Sequence, residues 1–147
     1  MSALVRQADS ADLATVLALY AQIDFNNDQV LTIEGAQKIF AEFSLYPSYR
    51  LFVAVEAATV VGSYALLVMH NLAHGGMPSA VVEDVVVASR QQRRGIGRQM
   101  MSHAKAQARA AGCYKLTLSS SRARLAAHAF YESLGFDQHG LSFVIEP

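Results

Sequence analysis

The feature that most restricts the fold is an apolar strand, a basic glycine-bearing turn and a helix, which follow one another between residues 80 and 111. The strand reads AVVEDVVVAS, the turn reads RQQRRGIGR and the helix reads QMMSHAKAQARAA. A further apolar stretch follows at residues 114–119. A strand, a crossover helix and a second strand are not hairpin partners, so these two strands are predicted to lie parallel.

The turn has the composition of a site for a phosphate-bearing ligand. The first amides of a helix lack intrahelical partners and lie at the positive end of the helix dipole. Gly95 and Gly97 leave this backbone accessible, and basic side chains surround it at Arg90, Arg93, Arg94 and Arg98. The spacing differs from the dinucleotide fingerprint G-x-G-x-x-G and from the P-loop, which requires Gly-Lys-Ser/Thr. The alternative is a turn with a structural role only.

Composition indicates one folded domain, which we expect to comprise residues 1–147. Apolar residues make up 52% and charged residues 16%, values that exclude a disordered or coiled-coil chain. No apolar run approaches the ~18 residues of a membrane span, and the first residues have no signal-peptide pattern. A single cysteine, Cys113, excludes an internal disulfide. We therefore expect a cytoplasmic protein without membrane association.

The formal net charge is zero, which argues against general nucleic-acid binding. The charges are unevenly distributed, with three basic and nine acidic side chains before Arg90 and nine basic and three acidic from Arg90 onward. The basic part contains the glycine turn, so a polyanionic ligand would be attracted to it. His70 and His74 lie in a predicted loop without an acidic partner at ligand spacing, so no metal site is expected.

The rest of the chain alternates between strand and helix patterns. Asp9 or Ser10 and then Thr32 are suited to cap two helices, and a polar break at Asn26, Asn27 and Asp28 separates these helices. Gly112 and Gly135 are suited to end the two later helices. Besides the strand before the glycine turn, strands are predicted at residues 4–8, 50–56, 60–69, 114–119 and 141–146, and the last helix at 123–134.

Two separated motifs resemble the GNAT superfamily of N-acetyltransferases. The segment from Gln92 to Gly97 fits the pattern Q/R-x-x-G-x-G/A of that family's acetyl-CoA pyrophosphate loop. The segment RLAAHAFYESLGF at residues 124–136 is similar to its N-x-x-A-x-x-F-Y-x-x-x-G-F segment, with Arg124 in place of asparagine. The resemblance implies an α/β (α+β) fold, with a mixed, mostly antiparallel sheet, a central splayed pair of parallel strands and about four flanking helices.

The resemblance also implies the function: transfer of an acetyl group from acetyl-CoA to a primary amine of a small molecule, directly within a ternary complex. A homodimer is common in the family. Alternatives are a protein or peptide amine acetyltransferase and a non-catalytic acetyl-CoA-binding sensor domain. The form R-x-x-A-H-x-F-Y is similar to aminoalkylphosphonate acetyltransferases, whereas residues 82–87 and 113–118 are similar to glucosamine-phosphate acetyltransferases. The acceptor therefore stays open.

Residues are assigned to the coenzyme by their positions in the family's motifs. The strand before the turn would offer backbone groups to the pantetheine arm, the turn would bind the pyrophosphate, and the last helix would add further contacts. The residues concerned are Val85, Val86 and Val87 in the strand, Gln92, Arg93, Arg94, Gly95, Ile96, Gly97 and Arg98 in the turn, and Arg124 and His128 in the helix.

Two residues are predicted to take part in the chemistry. Glu83 and Asp84 interrupt a strand of valines, and a carboxylate is costly to bury without a partner, so one of them is expected to face a polar cleft. Strand side chains alternate, and Glu83 shares a face with Val85 and Val87, which favours Glu83 as the general base. The resemblance implies that Tyr131 protonates the leaving thiolate. The alternatives are two structural carboxylates and a core tyrosine.

Overall fold

A computed structural model describes residues 2–22 and 30–147 of the chain. The predicted polar break at Asn26, Asn27 and Asp28 lies outside the described residues. The chain divides into two compact units, one ending at Thr117 and one comprising Leu118–Pro147. No helix within the described ranges is long and apolar enough to cross a membrane.

The first unit is built on a five-stranded sheet in the order β1-β2-β3-β4-β5. Neighbouring strands are antiparallel from β1 to β4, and β5 is parallel to β4. This confirms the mixed, mostly antiparallel fold class. The parallel pair lies at one edge of the described sheet and not at its centre as predicted, because no described strand pairs with the outer side of β5. The strands are β1 Leu4–Gln7, β2 Tyr49–Glu56, β3 Thr59–Met69, β4 Ser79–Val87 and β5 Leu116–Thr117.

Three α-helices of this unit are α1 Leu13–Tyr20, α2 Ile33–Glu42 and α3 Ile96–Ala110. Thr32 caps α2 as predicted, whereas Asp9 caps the 3-10 turn Ser10–Asp12 that precedes α1 and not α1 itself. Asp9 accepts a hydrogen bond from the Ala11 amide within a capping box, and the Thr32 side chain accepts one from the Gly35 amide. Gly112 follows α3 with a φ of +77°, as expected for a glycine that ends a helix.

The two faces of the sheet pack against different helices. Leu13, Val16 and Leu19 of α1 join one hydrophobic cluster with Val53 of β2 and Ala65 of β3. On the opposite face, α3 buries Ile96, Met100, Met101, Ala104 and Ala108.

Close approach of α3 to β3 depends on a glycine. A Cβ atom added at Gly62 would lie 3.0 Å from Met100 Sδ and 3.2 Å from Ile96 Cγ2. The start of α3, which carries the glycine turn, is thereby held against the centre of the sheet.

The second unit contains α4, Leu125–Ser133, which is shorter than the predicted helix at 123–134. Gly135 follows it with a φ of +93°. The prediction of a last strand at residues 141–146 is wrong, because this described segment forms no strand and exposes Leu141, Phe143, Val144 and Ile145. An apolar pattern alone does not make a strand, since another strand must supply the hydrogen bonds. The strand predicted at 114–119 is likewise shorter than expected: it forms only at Leu116–Thr117 (β5), where the backbone pairs with β4.

Candidate active site

The glycine turn connects β4 to α3 as predicted. Arg93 and Gly95 adopt left-handed conformations, with φ of +65° and +85°, and α3 begins at Ile96. Gly95 is the N-cap residue, and no side chain in residues 2–22 or 30–147 caps the helix. The first amides of α3 are therefore left without a side-chain acceptor, which is the arrangement that binds an anion at a helix N-terminus.

The arginines of the turn are exposed, but they are not equivalent. Arg94 lies 3.6 Å from Glu56 at the end of β2 and also donates a hydrogen bond to Gln91 Oε1. Arg93 and Arg98 have no ion pair among the residues that the structure describes. The positive charge available to a ligand therefore comes mainly from these two side chains, together with Arg90.

β4 is paired on one side only along most of its length. Its pairing with β5 comprises Ala80 with Leu116 and Val81 with Thr117. From Val82 onward, β4 pairs only with β3 among the described strands. This leaves one edge of the segment that contains Val85, Val86 and Val87 without a strand partner, as the predicted pairing with an extended ligand requires.

Gln22 holds the junction between β4 and the turn, and the sequence reasoning missed it. Its Nε2 atom donates to the Val87 carbonyl oxygen at 3.1 Å. Its Oε1 atom accepts from the Ser89 amide at 2.7 Å and from the Ser89 hydroxyl at 2.8 Å. Gln22 follows α1 and is 65 residues from Val87, so no local pattern could have indicated this contact.

The alternation of side chains predicted for Glu83 and Asp84 is interrupted by a β-bulge. Ala65 of β3 is opposite Glu83, whereas Ser63 is opposite Val86, so β4 contains one additional residue in this interval. Asp84 has a φ of +54°, and both residues taken as a whole are exposed. Burial raises the pKa of the Tyr49 phenol in β2, and the charges of Asp84 and Glu83 raise this pKa further. The regular alternation from which the sequence predicts opposite faces for these two side chains, and a shared face for Glu83, Val85 and Val87, does not hold across this bulge.

The remaining predicted residues lie in the second unit. Arg124 is exposed at the N-cap position of α4, and His128 Nε2 lies 2.8 Å from the Ser121 carbonyl oxygen. The Tyr131 ring is near Phe130 and Phe136, with centroid distances of 5.2 and 5.7 Å. Burial raises the pKa of Tyr131, an effect that the charge of Arg124 opposes. The phenol therefore keeps its proton at neutral pH.

Two other groups from the sequence have ordinary environments. The His74 ring stacks on Tyr114 with a centroid distance of 4.4 Å, and within the described ranges no three metal-ligating side chains are grouped. Cys113 is half-buried, and burial raises the pKa of its thiol, which makes it a poor nucleophile.

Comparison with known proteins agrees with this arrangement. The model of the acetyltransferase (GNAT) family matches residues 13–136. The chain is 29% identical over 139 residues to the aminoalkylphosphonate N-acetyltransferase of Salmonella typhimurium strain LT2, covering 95% of this chain and 88% of that protein.

Solved structures show the same fold. A protein of Agrobacterium tumefaciens str. C58, assigned by its name to the acetyltransferases, is 38% identical with a TM-score of 0.91, covering 98% of this chain and 99% of its own. The glucosamine-6-phosphate N-acetyltransferase of Arabidopsis thaliana has a TM-score of 0.86 at 19% identity, covering 99% of each chain. The family match extends from α1 to the residues that follow α4, so this chain belongs to the acetyltransferase (GNAT) family.

Proposed function

We propose that this protein transfers the acetyl group of acetyl-CoA to a primary amine of a small molecule. One observation carries the proposal, and it concerns the described part of the chain: from Val82 onward β4 has an edge without a strand partner there, and the turn after β4 leads into a helix whose first amides have no side-chain cap. The extended pantetheine arm of acetyl-CoA carries amides that can pair with a strand edge, and it ends in a pyrophosphate that helix amides can bind. Such a ligand requires both features next to each other.

The residues of the turn fit a coenzyme that carries several negative charges. The amides at the start of α3 would donate to the pyrophosphate, and Arg93 and Arg98 would add charge around it. Gly95 leaves open space, because a Cβ atom added there meets no atom within 4 Å. Val85 and Val87 would offer backbone groups to the pantetheine arm, with Val86 between them. Arg124 and His128 of the second unit are proposed as further contacts to the coenzyme.

The reaction requires a proton acceptor for the amine and a proton donor for the leaving sulfur. A thioester supplies an activated acetyl group and a fair leaving group. A carboxylate of β4 is proposed as the proton acceptor, and the sequence favours Glu83 for this role. Tyr131 is proposed as the donor, because its phenol keeps its proton at neutral pH. Direct transfer in a ternary complex needs no covalent enzyme intermediate.

The proposal is tested by two measurements on the whole chain. Acetyl-CoA should raise the melting temperature by mass action, and NAD at equal concentration should raise it much less. Thiol release is then followed with 2-aminoethylphosphonate, glucosamine 6-phosphate, spermidine and a peptide with a free α-amine. Turnover with one of the three small amines supports the proposal. Turnover with the peptide alone favours a protein acetyltransferase, and acetyl-CoA binding without turnover favours a sensor domain.

A further inference from the structure

Asp84 has an unusual backbone for its position. Five non-glycine residues in the described ranges have a positive φ, namely Ala57, Ala58, His74, Asp84 and Arg93. Four of them lie in turns or loops, whereas Asp84 lies inside β4 at the bulge. A left-handed conformation at a non-glycine residue costs free energy, and such strain is concentrated at functional sites.

The Asp84 carboxylate also lacks a structural partner. The ion pairs of the described residues join Arg6 to Asp12 and Arg94 to Glu56, and no hydrogen bond to Asp84 is present in these ranges. Although the residue as a whole is exposed, burial of the carboxyl group raises its pKa. A strained backbone and a partly desolvated, unpaired carboxylate both destabilise the fold, so a role in stability does not explain this residue.

Three ionisable groups are close enough to Asp84 to be considered with it. The Asp84 charge acts on Tyr20 at the end of α1 and on Tyr49 at the start of β2, and Glu83 is its neighbour in β4. The Asp84 charge raises the pKa of both phenols, in addition to the larger effect of burial. Tyr20 shares a hydrogen bond with Ser63 of β3, the residue opposite Val86 at the bulge. Two adjacent carboxylates with phenols within electrostatic range would attract an ammonium ion.

We propose that Asp84, rather than Glu83, accepts the proton of the acceptor amine, and that Tyr20 and Tyr49 flank this amine. The inference rests on the proposed acetyl transfer. The Asp84 carboxylate takes one proton from the ammonium group, and the nitrogen lone pair then forms a bond to the thioester carbonyl carbon. The carbon–sulfur bond breaks as the tetrahedral intermediate collapses. The nitrogen releases its second proton to solvent, and the departing thiolate takes a proton from the donor proposed above, Tyr131. Solvent then reprotonates Tyr131 and removes the proton held by Asp84.

The test compares Asp84→Asn with Glu83→Gln, in each case replacing a carboxylate by an amide. Thiol release is measured between pH 6 and 9 with the most active of 2-aminoethylphosphonate, glucosamine 6-phosphate and spermidine. Asp84→Asn should lower kcat/KM at pH 7 by about 10²–10⁴-fold, with partial recovery at high pH, where more of the amine is already deprotonated. The decrease in kcat/KM in Glu83→Gln should be at least about tenfold smaller than that in Asp84→Asn, since Glu83 would act only through its charge.

Binding and stability measurements separate this role from a structural one. Acetyl-CoA affinity by calorimetry should be unchanged in Asp84→Asn, and its melting temperature should equal or exceed that of the wild type, because asparagine tolerates the left-handed region. If this variant melts early, Asp84→Gly removes the carboxylate and relieves the backbone. Asp137→Asn, an exposed site, is the matched control and should keep full activity.

The outcomes are distinct. A larger loss in Glu83→Gln than in Asp84→Asn overturns the assignment of Asp84 and leaves acetyl transfer intact. An equal loss of acetyl-CoA affinity and activity in Asp84→Asn also overturns it, since the residue would then act on the coenzyme. Wild-type protein that binds acetyl-CoA but acetylates none of the amines rejects the proposed function and this inference together.

Discussion

The Tyr64 hydroxyl lies 2.7 Å from Nδ1 of His103 and joins the central strand β3 to α3. Tyr64 is fully buried, and Phe52 packs against both rings, with centroids 5.2 Å from Tyr64 and 4.9 Å from His103. Burial raises the pKa of Tyr64, so its hydroxyl keeps the proton and can donate to Nδ1 when that nitrogen carries no hydrogen. The neutral imidazole with its hydrogen on Nε2 matches this arrangement.

We expect His103 to make stability depend on pH. Burial, assisted by the charge of Arg50, lowers the pKa of His103 below its usual value of 6.5. The folded state therefore favours the neutral ring, and its contribution is present above pH 6.5 and lost as the pH falls through the lower folded pKa. The free energy of unfolding by urea, measured from pH 8 to pH 5, should decrease on the acid side more in the wild type than in His103→Asn.

The asparagine variant keeps a hydrogen-bond acceptor near the position of Nδ1 but does not titrate. It should be less stable than the wild type at pH 8, because the ring contacts with Phe52 are lost. Parallel stability curves for the two proteins across this range would contradict the role of His103.

Gln22 should affect coenzyme binding without contacting the coenzyme. Gln22→Ala removes three hydrogen bonds that hold Val87 and Ser89 at the entrance to the turn. We expect acetyl-CoA affinity to fall about tenfold, since a hydrogen bond contributes roughly 1 kcal/mol. Calorimetric titration measures the effect, with Gln37→Ala at an exposed position of α2 as the control.

A second substitution separates the two ends of the Gln22 amide. Gln22→Glu keeps an acceptor for the Ser89 groups but loses the donor to the Val87 carbonyl oxygen. Its affinity should lie between those of Gln22→Ala and the wild type. Unchanged affinity in both variants would mean that the turn keeps its shape without this side chain.

Gly95 should matter for both conformation and ligand access. With a φ of +85°, alanine at this position is strained by about 1–2 kcal/mol, and asparagine by less. No contact adds to this cost in the unbound protein, since an added Cβ atom meets nothing within 4 Å. Chemical denaturation should therefore rank the stabilities as glycine, asparagine and then alanine.

Coenzyme affinity should follow a different order from stability. Asparagine is the larger side chain at the amides of α3, so Gly95→Asn should weaken acetyl-CoA binding at least as much as Gly95→Ala. Calorimetry on folded protein measures this. If binding loss instead follows the stability ranking, the glycine serves only the turn.

Tyr131→Phe should lower turnover and leave acetyl-CoA affinity nearly intact. The change removes the hydroxyl and keeps the ring, which lies near Phe130 and Phe136. Loss of a proton donor is expected to lower kcat by about 10²-fold, because a thiolate is a fair leaving group. Raising the pH should not restore the activity, in contrast to loss of a base. Tyr46→Phe, at an exposed position, is the matched control. Full activity in Tyr131→Phe would mean that Tyr131 serves packing and not proton donation.

The parts of the fold that the sequence predicts correctly are those set by neighbouring residues. The Thr32 cap, the glycine turn and the end of α3 at Gly112 each depend on side-chain and backbone chemistry within a few positions. The strands predicted at residues 50–56 and 60–69 match β2 and β3 for the same reason, and in the structure Ala57 and Ala58 form the tight connection between them.

The parts that could not be predicted depend on a partner distant in sequence. The bulge at Asp84 arises from the register between β3 and β4, which the strand's own sequence does not contain. The contact of Gln22 with Val87 joins segments that share no pattern. The last strand was predicted from its apolar residues, but a strand also requires a neighbouring backbone to pair with.

A valine-rich strand with a free edge is a site where chains associate. Between Val82 and Val87, β4 consists of valines apart from Glu83 and Asp84, and among the described strands it pairs only with β3. Charged side chains and a bulge are the means by which natural sheets prevent edge-to-edge pairing. We therefore expect the same two carboxylates to protect the protein against aggregation, and a variant that lacked both charges to form larger assemblies and to lose soluble protein.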